Sequence, residues 1–387
     1  MQKTLSGGHR FAFFPSQNIL TNRIWAISLN QLQYLVVVRF DAPKPGGNFD
    51  SQFLKLKIME TKIIKGDLIK DKIFSEVKNE ITGLKEKYGK VPGIAFIGFM
   101  CVPLAKYNVP LHVQMAQSMG MNVKTEILSN EATEDDIFQV IDKLNADENI
   151  HAIVLLQPLP PQLNPVRIVN RIDPCKEVEG FHPVNMMGAM IPDIRTSRYP
   201  MCLPTALFEM FREADFHPGN DREWVYVLDD EFHANTLTRM IVRAAASQVV
   251  PNDSAVTFIN KNSKNLVDHV KRADLLVIVT KQPEYVQPDW LKPGVCIIDI
   301  YSNLVREIPS KADPSRLVPV IRGGVNADSV NQIAGAILPI PGGLMTVVMA
   351  ILFRNTVISF KNAEINRETN FPVQQKKEKL TVGCIRD

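Results

Sequence analysis

Segments with helical apolar spacing alternate with short apolar runs along most of this chain. That alternation restricts the fold more than any other feature, because helices crossing over between parallel strands satisfy it directly. Residues 67–88 place Leu68, Ile69, Ile73, Val77, Ile81 and Leu84 at roughly helical intervals. Pro92-Gly93 precedes a strand over 94–97. Residues 108–119 read as a helix, with Asn108 as N-cap, Pro110 in the first turn and Gly120 closing it. A strand follows over 123–128. A helix over 133–144 opens on Thr-Glu-Asp-Asp, a good N-terminus. The apolar run 152–156 suits a parallel strand buried on both faces.

The second half repeats this logic. Helices are expected over 205–214, 234–247 and 266–272, and strands over 224–228, 255–259, 275–280 and 295–300. A further strand is expected over 318–321 and an apolar helix over 344–353. This is the pattern of a doubly wound, Rossmann-type α/β domain, whose first βα turn is the natural seat of a dinucleotide pyrophosphate.

Composition narrows the partners. A net charge of +3 is too small to predict a nucleic-acid surface, and no apolar run reaches the length of a membrane span. The five cysteines, 101, 175, 202, 296 and 384, are odd in number and lack metal-ligand spacing, which fits free thiols in a reducing compartment. Lys3, Arg10, Arg23 and Arg39 precede the first acidic residue, Asp41. Such a leader resembles a mitochondrial transit peptide; a disordered extension of a cytoplasmic protein, folded from near Met59, is the other reading. Residues 361–387 are polar and are expected to be a mobile tail.

The stretch Ile172-Asp173-Pro174-Cys175-Lys176-Glu177-Val178-Glu179-Gly180-Phe181-His182-Pro183-Val184-Asn185 is too rich in breakers for a regular element. It reads either as a linker or as a shaped loop that builds a site. Residues 173–183 are similar to D-P-x-K-D-V-D-G-F-H-P. Pro158-Leu159-Pro160 is similar to the end of Q-L-P-L-P, and Met201-Cys202-Leu203-Pro204-Thr205 stands where P-C-T-P would lie. Lys292-Pro293-Gly294 with Ile298-Asp299 matches K-P-G-x-x-V-I-D. Pro339-Ile340-Pro341-Gly342-Gly343-Leu344-Met345-Thr346 matches P-V-P-G-G-V-G-P-M-T less two residues. In this order, over about residues 62–356, these landmarks resemble the bifunctional methylenetetrahydrofolate dehydrogenase/methenyltetrahydrofolate cyclohydrolase family.

The resemblance implies an N-terminal α/β folate and catalytic domain over 59–200 and a Rossmann-type NAD(P)-binding domain over 201–340, with a cleft between them. A helix over 341–360 would return to the N-terminal domain, and residues 1–58 would be the leader. It further implies a folate substrate and a homodimer, or a heterodimer with a paralogue. The implied chemistry is oxidation of 5,10-methylenetetrahydrofolate and hydrolysis of the methenyl product to 10-formyltetrahydrofolate.

By the same resemblance, the family's Tyr-x-x-x-Lys pair falls at Asn108 and His112, on one helix face. The lysine assists proton movement and water activation in hydrolysis. His112 could act as acid or base but is shorter, and a cleft histidine with no catalytic part is the other reading. Tyr107 is one residue early, about 100° away on a helix. Leu156 replaces the glutamine that pairs with the lysine, and Gln157 follows it, restorable by a one-residue rearrangement. Glu179 replaces the aspartate that holds the pterin, and Pro341, Gly342 and Gly343 would let backbone approach the folate.

The cofactor positions depart most. Leu228-Asp229-Asp230-Glu231-Phe232-His233-Ala234-Asn235-Thr236 stands for G-R-S-x-x-V-G-x-P. Each carboxylate near a pyrophosphate repels it by roughly 1 kcal/mol in a water-like medium. Lys281 and Tyr301 replace glycines of two further turns, although Lys281 returns some positive charge. NADP is the family's cofactor, and these residues predict that it is not bound here. Three functions stay open: an active dehydrogenase/cyclohydrolase with unusual residues, a cyclohydrolase or folate-binding protein without the cofactor, or a non-catalytic paralogue kept for dimerisation or as a scaffold; the residues speak against the dehydrogenase step.

Overall fold

A computed structural model describes residues 60–100, 104–157, 159–190, 199–230 and 235–368, together with two strands nearer the N-terminus. The chain divides into two compact units, 1–59 and 60–387. In the first, β1 (Arg23–Ser28) pairs antiparallel with β2 (Leu35–Phe40). The rest of the leader lies outside the described residues.

The second unit begins with β3 (Lys62–Ile63) and α1 (Asp67–Tyr88), whose buried Ile69, Ile73, Val77 and Ile81 recur every fourth residue. Next come β4 (Gly93–Phe99), α2 (Ala105–Ser118), β5 (Asn122–Leu128), α3 (Glu134–Ala146) and β6 (Ala152–Leu155). The strands form a parallel sheet in the order β5-β4-β6. Alternate residues of β4 serve two cores. Ile94 and Phe96 pack with α1, while Ala95, Ile97 and Phe99 pack with Ile137, Ile141 and Leu144 of α3. Thr133 and Asp136 cap α3 reciprocally, as its opening sequence predicts.

α2 starts earlier than expected. Leu104 is its N-cap, and Asn108 and Pro110 both lie inside it. A proline this near the N-terminus forfeits one hydrogen bond to the carbonyl four residues back, and the buried Ala105, Val109 and Ala116 outweigh that loss.

Two short helices that periodicity did not reveal follow, α4 (Pro165–Arg171) and α5 (Pro183–Met190). The loop read over 172–185 thus ends at Pro183, whose missing N–H costs nothing in a first helical turn. α6 (Cys202–Glu213), β7 (Glu223–Leu228), α7 (Thr236–Val249), β8 (Ala255–Asn260), α8 (Leu266–Val270), β9 (Leu275–Val279) and β10 (Cys296–Asp299) build the second layer. Residues 231–234 of the expected cofactor loop lie outside the described residues.

The expected strand 318–321 belongs to an antiparallel hairpin of β11 (Asn303–Pro309) and β12 (Leu317–Arg322), not to the main sheet. β13 (Ala336–Leu338) joins that sheet, in the order β3-β13-β10-β9-β7-β8, all parallel. Strand order reverses at β7, which lies between β8 and β9 and so opens a crevice at its C-terminal end.

α9 (Leu344–Glu368) runs past residue 361, so the first eight residues read as tail are helical, with Glu364 buried. The remainder, 369–387, lies outside the described residues. α9 packs on α1 and α6. It is long and apolar enough to cross a membrane, but most of that apolar window is buried in the core. At its start, a Cβ on Gly66 would lie 2.6 Å from the Gly343 carbonyl oxygen, so only glycine lets the first turns of α1 and α9 meet.

Candidate functional site between the two layers

The C-terminal ends of both parallel sheets carry the candidate residues. On the N-terminal layer the loop 172–182 is organised by Glu177, buried at 2% exposure. Its carboxylate accepts the backbone N–H groups of Glu179 at 2.9 Å and His182 at 2.9 Å and that of Gly180 at 3.1 Å, with Nδ2 of Asn185 at 3.2 Å. From behind, the buried Asn355 of α9 donates to the Val178 carbonyl at 2.8 Å and to that of Pro200 at 2.9 Å. Ser359 and Tyr199 both donate to the Cys175 carbonyl. Gly180 has φ +89°, and a Cβ there would lie 2.7 Å from Cγ of Met201.

The result is a rigid wall that presents Glu179. Burial pushes its carboxyl well above the usual carboxylate range, and the charge of Glu177 adds to the shift. Sequence reasoning chose Glu179 and passed over Glu177, Asn355 and Ser359. Glu177 was legible as the other acidic position of the motif. The two helix residues carried no local signal, because they act on a loop about 180 positions away.

His112 lies on the inner face of α2, its ring stacked on Phe96 with centroids 6.0 Å apart. Burial pushes the imidazole down to about 4, so it is neutral at pH 7. Nδ1 is enclosed without a hydrogen-bond partner among the described residues. Asn108, one turn earlier, is half-buried.

Gln157 is exposed, while Leu156 packs into the core that holds Phe96. The rearrangement that would restore the glutamine has not occurred. Along β6 and just beyond it, Ala152, Val154 and Leu156 share one face, which leaves Gln157 on the other. Of the glycine turn, Pro341 is exposed. The Gly342 carbonyl is already bonded by the Gly66 N–H at 2.9 Å, so that contact is spent on joining α1 to α9.

On the second layer Asp229 occupies the crevice at the end of β7. Its Oδ2 lies 3.1 Å from Nζ of Lys261 and accepts from Thr280 Oγ1 at 3.2 Å and the Lys281 N–H at 3.1 Å. Burial opposes ionisation, but these donors outweigh it and hold the carboxyl below its ordinary value. Asp230 is exposed and accepts from Asn260 and Asn262. Lys281, beside Asp229, is half-buried, and so is Tyr301 beyond the end of β10. The two carboxylates therefore tie together the ends of β7, β8 and β9, and Lys261, unmarked by any motif, completes the link.

Residues 64–179 match the model of the tetrahydrofolate dehydrogenase/cyclohydrolase catalytic domain, and residues 202–364 match that of its NAD(P)-binding domain. The chain belongs to the tetrahydrofolate dehydrogenase/cyclohydrolase family. The bifunctional protein FolD of Desulfosudis oleivorans is 35% identical over 303 residues, spanning 78% of this chain and 98% of that protein. The solved methylenetetrahydrofolate dehydrogenase-cyclohydrolase of Trypanosoma brucei, complexed with NADP and inhibitor, is 26% identical, covers 79% of this chain and 99% of its own, and superposes with a TM-score of 0.66. The NAD-dependent 5,10-methylenetetrahydrofolate dehydrogenase of Saccharomyces cerevisiae shares the fold at a TM-score of 0.60 and 15% identity, over 80% and 99% of the two chains. Folate one-carbon interconversion is the chemistry of this family, and its two-domain α/β architecture is the one described above.

Proposed function

We propose that this family member binds a reduced folate in the cleft, held by Glu179, and that NADP-linked oxidation is not its activity. The observation that carries the second half is the set of bonds Asp229 makes at the end of β7. A dinucleotide phosphate needs donors at the end of β7, and among the described residues Lys261, Thr280 and the Lys281 N–H there are already bonded to the Asp229 carboxylate. A phosphate would have to displace an ionised, paired carboxylate or lie beside it uncompensated, and either is unfavourable. The residues do not fit the cofactor, so no hydride step is assigned to them.

The folate half rests on the wall around Glu179. A pterin edge offers N–H donors, and a half-buried carboxyl on a fixed loop suits them. The family's lysine acts in hydrolysis as a cation, which His112 is not at neutral pH. This favours a second reading, a folate-binding paralogue whose value is assembly, as a homodimer or with an active partner.

Two measurements test the proposal. Calorimetry with NADP and NAD should give no binding at millimolar ligand, and micromolar affinity would overturn the cofactor half. Tetrahydrofolate binding should be weakened at least tenfold in Glu179→Ala, and unchanged affinity would overturn the cleft assignment. An absorbance assay of methenyltetrahydrofolate hydrolysis, comparing the natural chain with His112→Ala, separates the readings. Activity lost in the variant supports an enzyme, and none in either supports the assembly role.

A further inference from the structure

We propose that Glu307 latches the β11–β12 hairpin onto α2 across one end of the cleft, and that release of this latch admits ligand. One carboxylate oxygen, Oε1 of Glu307, lies 2.6 Å from Nζ of Lys106 and accepts from the Tyr107 hydroxyl at 2.7 Å. The partners are two hundred residues apart in sequence and belong to different layers. α2 follows the C-terminal end of β4, and the hairpin follows that of β10. Both elements therefore rise from the edges where a parallel α/β sheet binds its ligands, and the latch joins them.

Tyr107 points away from the core face of α2. It lies about 200° around the helix from Val109, so its hydroxyl is free to reach the second layer. Among the described residues, three large apolar side chains of the hairpin are exposed. Val305 is 50% exposed, Ile308 40% and Leu317 49%, and a two-stranded ribbon without a buried face is marginal on its own. Its base is fixed, because the buried Asn303 donates to the Thr280 carbonyl at 3.1 Å. Among the described residues, a ribbon fixed at its base and tied by this exposed charged cluster makes a hinged strap. Consistent with a shared charge, hydrogen bonds from Lys106 and Tyr107 hold the Glu307 carboxyl below its usual range.

Hydrogen–deuterium exchange on the full chain tests the latch without any ligand. Glu307→Ala should speed exchange at least fivefold in residues 104–112 and 303–322 and leave β9 unchanged. Glu307→Gln should fall between it and the natural protein. Half-molar sodium chloride should raise exchange in the natural protein and leave Glu307→Ala unaffected. Unchanged exchange in 104–112, or an equal rise throughout the chain, overturns the proposal.

The gating role rests on the folate reading and is checked by stopped-flow association of 5-formyltetrahydrofolate. Faster association in Glu307→Ala supports the gate, and an unchanged rate overturns it. Absence of binding in every variant would defeat the folate reading, and with it the gate, while the exchange result still decides the latch.

Discussion

The Lys261 ammonium lies 3.1 Å from Oδ2 of Asp229, at the point where the strand order of the second sheet reverses. A parallel sheet offers a dinucleotide its phosphate site at this crevice. Here a paired carboxylate and ammonium stand at that crevice.

Asp229→Asn keeps the acceptor and removes the charge. We expect a stability loss of about 2 kcal/mol at pH 7, the scale of one charge-assisted hydrogen bond. The folded Asp229 carboxyl is held low, so its contribution is complete above the unfolded value of about 4 and is lost as pH falls through the folded value. Denaturant titrations of the two proteins should therefore differ at pH 7 and converge at acid pH. The same variant should gain affinity for NADP by at least tenfold, because Lys261 is released.

His112 behaves in the opposite chemical sense with the same pH direction. Its folded value is about 4 against an ordinary 6.5, so the unfolded chain takes up the proton first and stability falls between those values. That span corresponds to about 3 kcal/mol at most. His112→Phe keeps the ring on Phe96 and removes the enclosed, unpartnered nitrogen. Its unfolding free energy should drop less than that of the natural protein between pH 7 and pH 4. Parallel curves would show that His112 is not buried as described.

Glu177→Ala should cost about 3 kcal/mol, since it strands three backbone N–H groups in a site of 2% exposure. Folate affinity should fall with it, although Glu177 is placed behind the ligand wall. Thermal unfolding and equilibrium binding on the same preparation check both outcomes. A stable variant with normal affinity would show that the loop is held by other means.

Glu179 should release a proton when folate binds. Burial and the charge of Glu177 favour its neutral form, and N–H donors from a pterin favour the carboxylate. Calorimetry in two buffers of different ionisation enthalpy, repeated from acid to neutral pH, should give different apparent heats in part of that range, with the sign of proton release. Identical heats would place the ionisation change elsewhere.

Replacing both His112 with Lys and Leu156 with Gln would return a cation and its partner to one face of the cleft. Methenyltetrahydrofolate hydrolysis should rise at least tenfold over the natural chain. No gain, in a variant that still binds folate, would show that the cleft lacks more than this pair.

The parallel α/β plan was legible because periodicity and chain order carry it. α1 spans the residues its apolar spacing predicts, and Thr133 caps α3 as its opening residues require. The loop around Glu179 was legible because its breakers and acids are contiguous. Boundaries that depended on neighbours were not. α2 began a turn early because its buried face outweighed Asn108 and Pro110, and α9 outran its apolar stretch.

The sequence alone determined the fold class and the family, because these are properties of residue type and order. Only the tertiary structure decided what the changed residues do. Lys261 neutralises Asp229, Phe96 desolvates His112, and Glu307 reaches Tyr107 across two hundred residues. Each of these effects falls off within a few ångströms, and only folding brings residues so distant in sequence to such separations.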